Sequence, residues 1–258
     1  MEKKLIAGIL LCALSGVVAA CASPDLNGQG KPDTLTAKDL HGFEEQSISS
    51  VYFDRAMHYK GSLFRAISLE RLVGYVDPQG LSDAILLDCF DDYQGIVSVE
   101  DIKKYDLQLA TQIELAHGSN RPDWLQPLFI VVPDGVNAPF QERFMTANIR
   151  SLRFVKLGEY YAPLEKIAGA DKTALSGLNI FKDNCLFCHS LMGIGGNKGG
   201  ALPEKFDFSR SDELARFESH FKSFHHKDNP DKQNIDQFVS GKCLKSVGYF
   251  LGRLSEKK

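Results

Sequence analysis

Cys185, Cys188 and His189 are the residues whose types and spacing carry the clearest chemistry in this chain. Two thiols separated by Leu186 and Phe187, with a histidine directly after the second, form the Cys-x-x-Cys-His pattern that holds a c-type haem covalently. Each thiol can add across a porphyrin vinyl group, and the histidine then stands under the ring as an axial iron ligand. Structural zinc and a disulfide loop compete for the same cysteines. Zinc needs four ligands, and the six cysteines and seven histidines offer no second Cys-x-x-Cys or paired-histidine spacing of equal quality. The motif predicts one haem c, with Cys185 and Cys188 as attachment points and His189 as proximal iron ligand.

The elements that must position these residues are helical. Gly177, Phe181 and Cys185 recur at spacing four, which places glycine and aromatic on one face of a helix leading into the motif. Val247, Tyr249, Phe250, Leu251 and Leu254 supply a partner helix near the C-terminal end. This arrangement resembles the small soluble cytochromes c, in which a glycine permits close crossing of the first and last helices. Tyr249-Phe250-Leu251 is similar to that family's aromatic-leucine signature. Phe181 and Tyr249 or Phe250 are then core residues rather than electron relays.

The same resemblance bears on the iron. In related cytochromes a glycine-proline pair, with leucine two residues on, supplies a carbonyl to the proximal histidine. The matching stretch is Gly199-Gly200-Ala201-Leu202, with Gly200 where proline is expected. The family's distal methionine has no counterpart, since no methionine follows Met192. Met192 is three residues past His189 and does not readily reach the opposite haem face. His225 and His226 stand about where a distal ligand is expected, with His220 a weaker candidate. Asn229 to Asn234 loosely resembles the family's approach to its methionine. Two outcomes stay open: a second histidine ligand, which lowers the potential relative to methionine, or an open sixth position that admits a small ligand.

Ahead of this region, residues 40–166 read as a mixed unit of strands and helices. Ala84-Ile85-Leu86-Leu87 and Leu128 to Val132 are apolar runs of strand length, the second closed by Pro133-Asp134-Gly135. Ser98 to Ala116 has loose helical spacing at Val99, Ile102, Leu109 and Ile113, with Ser98 and Asp101 as a helix start. Ile149 to Val155 reads as a final strand. The stretch resembles the molybdopterin-binding domain of the sulfite oxidase family through Ile67-Ser68-Leu69-Glu70-Arg71-Leu72, Asp91-Asp92-Tyr93-Gln94-Gly95, Leu109-Ala110 and Pro127 to Pro133. The family's molybdenum-binding cysteine lies well before the aspartate-tyrosine turn, and no cysteine stands between Cys21 and Cys89. The resemblance therefore implies a shortened relative that kept a scaffold and lost molybdopterin; a fold carries no function without its site. The expected fold is two domains, an N-terminal α+β domain with a sulfite oxidase-like scaffold over 40–166 and an all-α cytochrome c domain over 167–258.

The N-terminus reads as an export signal over 1–20. Lys3 and Lys4 precede an apolar core from Leu5 to Leu14 and a Val18-Ala19-Ala20-Cys21 processing site. That tetrapeptide resembles a bacterial lipoprotein box with Cys21 as the lipidated residue; ordinary cleavage beside Cys21, giving a soluble periplasmic protein, competes. Either reading delivers the chain to the cell envelope, outside the cytoplasm. Residues 21–39 carry Pro24, Gly28, Gly30 and Pro32, the composition of a tether. Cys89 and Cys243 are left for a disulfide or for two separate thiols. A net charge of −3 gives no basis for nucleic-acid binding. Asp91-Asp92 and Glu44-Glu45 are adjacent acids whose side chains diverge on a strand. The functional expectation is a membrane-anchored electron carrier, rather than a catalyst, that exchanges single electrons with a redox protein. A gas-binding module with an open haem is the alternative, and the cytochrome part of an oxidoreductase a third.

Overall fold

The computed structural model describes residues 33–116, 119–225 and 239–255. Cys21, the signal segment, His226 and the Asn229–Asn234 stretch lie outside the described residues. The elements run β1 (Thr34–Thr36), β2 (Gln46–Ser49), α1 (Val51–Met57), β3 (Leu63–Ser68), α2 (Leu69–Val76), β4 (Ala84–Cys89), β5 (Gln94–Ser98) and α3 (Val99–Lys104). They continue with β6 (Gln108–Glu114), β7 (Phe129–Val131), β8 (Ile149–Val155), α4 (Leu157–Ala168), α5 (Lys172–Asn184), α6 (Leu202–Lys205), α7 (Ser211–Phe224) and α8 (Gly241–Ser255). Two four-stranded antiparallel sheets result, ordered β1-β8-β4-β5 and β2-β3-β6-β7.

Strand β4 explains how the layers stack. Successive side chains on a strand face opposite sides, and β4 is apolar on both. Ile85, Leu87 and Cys89 join Val97, Leu152, Ile67, Leu109 and Ile130 in a core between the two sheets. Ala84 and Leu86 face the other way, with Ile96 of β5, into a core completed by α4, α5, α7 and α8. The outer face of the second sheet is closed by α1, where Phe53 packs edge-on against Phe64 and Phe129 at 5.1 and 5.3 Å.

The expected separation into an α+β domain and an all-α cytochrome c domain is not met. The fold is mixed α/β, and the C-terminal helices are few and share one continuous core with β4 and β5. The physical reason is the unbroken apolar run of β4, which leaves a second sheet face to be covered, and α4 and α5 cover it. The expected helix over 98–116 is also only partly formed. Ser98 does cap α3, accepting from the Asp101 amide, but Asp106 takes a positive φ of 46° and ends that direction. Leu109 and Ile113 then lie in strand β6. Among the described residues no helix is long and apolar enough to cross a membrane.

Candidate haem-attachment site

The helix that delivers the motif is fixed at both ends. Asp171 caps α5 by accepting from the amides of Thr173 and Ala174. The same carboxylate receives the Tyr249 hydroxyl at 2.8 Å and Arg253 at 3.1 Å, both from α8. Midway, α8 crosses so close to Gly177 that a Cβ there would lie 2.0 Å from the Ser246 carbonyl oxygen. Phe181 and Phe250 are fully buried at this crossing, with ring centroids 6.5 Å apart. Tyr249 is instead half exposed and serves as the Asp171 donor.

Beyond α5 the chain folds into a tight turn. The amides of Cys188 and His189 both donate to the Cys185 carbonyl, at 3.1 and 2.9 Å. Cys185 is buried and Cys188 half-buried, and neither forms a disulfide. Burial pushes the Cys185 thiol up to about 12. Burial and then the Glu142 charge push Cys188 up to about 11. A dithiol redox catalyst needs a lowered thiol pKa, so this Cys-x-x-Cys is not poised for disulfide exchange. Cys89 and Cys243 are unpaired as well.

The His189 ring is held by the carbonyl that the Gly199–Leu202 resemblance implies. Its Nδ1 lies 2.9 Å from the Gly200 carbonyl oxygen. A carbonyl only accepts, so the proton is on Nδ1 and a metal bond must use Nε2. Burial lowers the His189 pKa, against the opposing pull of that hydrogen bond. Gly200 reaches its position with φ at +69°, a conformation closed to the proline of the family pattern. At Gly199 a Cβ would lie 2.3 Å from the His189 ring, so the ring's seat requires a glycine.

A second imidazole stands opposite. His225 caps the C-terminal end of α7, and its ring centroid is 6.3 Å from that of His189, with the planes at 70°. Its Nδ1 also faces a backbone carbonyl, that of Phe221 at 3.2 Å, so metal ligation by this ring also uses Nε2. Two imidazoles bound to one metal at the usual ~2.0–2.1 Å hold their centroids about 6–6.5 Å apart. The observed spacing matches. His220 packs between Phe206 and Phe224. Met192 is exposed on the turn closed by Leu191 and Ile194. The donor types gathered here are those a c-type haem would use: thiols at Cys185 and Cys188, and imidazoles at His189 and His225. No cluster of three or more His, Cys, Asp or Glu side chains suited to a bare metal ion occurs among the described residues.

Three neighbours of Cys188 carry no signal as site residues in the sequence. Tyr93 stacks on Phe187 at 5.9 Å. Glu142 is exposed as a residue, yet the crowding around its carboxyl lifts it to about 7. Lys198 pairs with Asp91 at 2.6 Å. Only the run from Asp91 to Gly95 stood out in the sequence, as a resemblance to a molybdopterin domain. The adjacent acids are drawn to separate partners: Glu44 pairs with Arg71 and Glu45 with Arg65. No family model, curated protein or solved structure matches this chain.

Proposed function

We propose that this chain is a c-type cytochrome that carries single electrons between redox proteins in the bacterial cell envelope. The observation that carries the reading is the pair His189 and His225 at 6.3 Å, directly beside Cys185 and Cys188. When bound, haem c supplies a one-electron ferric/ferrous couple. The chain's own residues do the rest. Cys185 and Cys188 hold the ring, Gly200 fixes the tautomer of His189, and Phe221 does the same for His225. A second imidazole in place of methionine sets a low potential. Lipid at Cys21 would anchor the protein, with the tether giving it reach. Molybdenum chemistry is not part of the proposal. The Cys89 thiol is buried between the sheets, directed at the Leu87 carbonyl and pushed up to about 12, first by burial.

The test is optical. The pyridine haemochrome of the purified protein should show one thioether-linked haem per chain. Ferric and ferrous spectra should be low-spin and unchanged by carbon monoxide. In His225→Ala the ferrous form should bind carbon monoxide, whereas His226→Ala should not change. A His225→Ala protein with wild-type spin state removes His225 from the iron. Carbon monoxide binding by the wild type would instead support the gas-binding alternative.

A further inference from the structure

The attachment loop does not stand alone against the helices; it is held by the turn between β4 and β5. The Gln94 amide donates to the Phe187 carbonyl, inside the Cys-x-x-Cys segment, at 3.0 Å. From the other side, the amides of Asn197 and Lys198 both donate to the Asp92 carbonyl, at 2.7 and 3.2 Å. The turn is thus bonded to two strands of the loop at once. Gly196 lies where a Cβ would collide with the Phe187 and Asp92 carbonyl oxygens and the Gln94 nitrogen, so the three backbones meet without side chains between them.

Side chains extend the grip. Tyr93 stacks on Phe187 with planes at 20°. Asp91 and Lys198 close the rim with an ion pair at 2.6 Å. Tyr160 of α4 accepts from the Gly195 amide at 2.8 Å and donates to Gln94 at 2.6 Å. Gln94 in turn donates to Asp88 at 2.7 Å, which pairs with Arg153 at 2.6 Å. A continuous polar chain therefore runs from the attachment loop into the middle of the first sheet.

We propose that the β4–β5 turn is a clamp on the haem-attachment loop, with Tyr93 and the Asp91–Lys198 pair as positioning residues that tune the iron. The inference rests on the haem reading above. It assigns the sheet region a role without a cofactor of its own: it sets the conformation and local charge of the segment between Cys185 and Lys198. Lys198 on the loop and Asp91 on the turn form an ion pair at 2.6 Å, a cation and an anion held at the rim of the segment that carries Cys188. Removing the cation favours the ferric state, and removing the Asp91 anion favours the ferrous state.

The experiment measures reduction potential and haemochrome content on the full-length haem-loaded protein. The variants are Lys198→Met, Lys198→Arg, Asp91→Asn, Tyr93→Ala and Tyr93→Phe. Lys198→Met should displace the ferric/ferrous equilibrium about two- to fivefold toward ferric, the size of one partly exposed ion pair. Asp91→Asn should move it the opposite way, and Lys198→Arg should stay near wild type. Tyr93→Ala should speed hydrogen exchange over 185–198, and Tyr93→Phe, which keeps the stack, should restore protection. If Tyr93→Ala does not fold, the Lys198 and Asp91 variants decide by the opposite signs of their shifts, which simple loosening of the loop would not produce. Haem-loaded Lys198→Met and Asp91→Asn proteins with wild-type potential overturn this inference and leave the haem reading intact. A wild-type protein without covalent haem overturns both.

Discussion

Replacing Gly177 by alanine tests the helix crossing that carries the attachment motif. A Cβ at this position would stand 2.0 Å from the Ser246 carbonyl oxygen, 2.6 Å from its carbon and 2.9 Å from the Phe250 Cβ. Ordinary contact begins near 3.4 Å, so α5 and α8 must part by about 1.4 Å along this line. The obstacle is backbone in the middle of α8, which cannot rotate aside as a side chain would. A gap of 0.5–1 Å already forfeits roughly a quarter to a half of the dispersion well for the atoms that line it. Phe181, Leu178, Val247, Phe250 and Leu251 all line this crossing. Overpacking costs typically ~1–3 kcal/mol, and an immovable carbonyl puts this site at the upper end. Alanine recovers ~1 kcal/mol of helix propensity. The net loss is about 2 kcal/mol, a large share of the ~5–15 kcal/mol that holds a domain folded. Urea unfolding followed by far-UV circular dichroism should show the midpoint falling by roughly 1 M at unchanged slope. Gly74→Ala in α2 is the control, since a Cβ there meets nothing within 4 Å; its midpoint should hold or rise. A Gly177→Ala midpoint equal to that of the wild type would falsify the close crossing.

Gly199→Ala should tilt the His189 ring, because the new Cβ would sit 2.3 Å from it; visible and electron paramagnetic resonance spectra should show altered axial ligation while far-UV dichroism is kept. Asp88 should contribute to stability in a pH-dependent way. Burial would raise its pKa, but hydrogen bonds from Arg153 and Gln94 outweigh that and leave it lowered. Its contribution is therefore present above the unfolded value near 3.8 and lost as pH falls through the lower folded value. The stability gap between wild type and Asp88→Asn should narrow in acid unfolding below about pH 4, and a gap that is constant with pH would contradict the pairing.

Much of the candidate site was legible because it is local. Cys-x-x-Cys-His is set by the chain's own spacing, and the Gly199–Leu202 pattern placed a carbonyl acceptor for the His189 ring within eleven residues. That His225 stands near His189 was not legible, because it depends on where α7 stops; His226 lies outside the described residues. The helix ends at Phe224, and the capping position turns His225 toward His189. Tyr93 and Lys198 gave no sign of meeting the Cys-x-x-Cys-His motif, for a different reason. They meet the motif only through tertiary packing, across 94 residues in one case, and neither belongs to a chemical pattern of its own.

The mixed α/β fold, in place of a separate all-α C-terminal domain, did have a signal in the sequence. Ala84-Ile85-Leu86-Leu87 does not alternate, and an unbroken apolar run of strand length marks a strand covered on both faces. One face could be met by the second sheet, whose strands β3, β6 and β7 bring Ile67, Leu109 and Ile130. The other face then required helices, and the amphipathic segments beyond Val155 were the ones left to supply them. Tyr161, Leu164 and Leu178 fill that face. The same docking brings the β4–β5 turn against the attachment loop. A sheet that needs cover and a Cys185–Lys198 loop that needs a second wall meet one requirement with one interface, which is why the C-terminal helices are not set apart as a unit of their own.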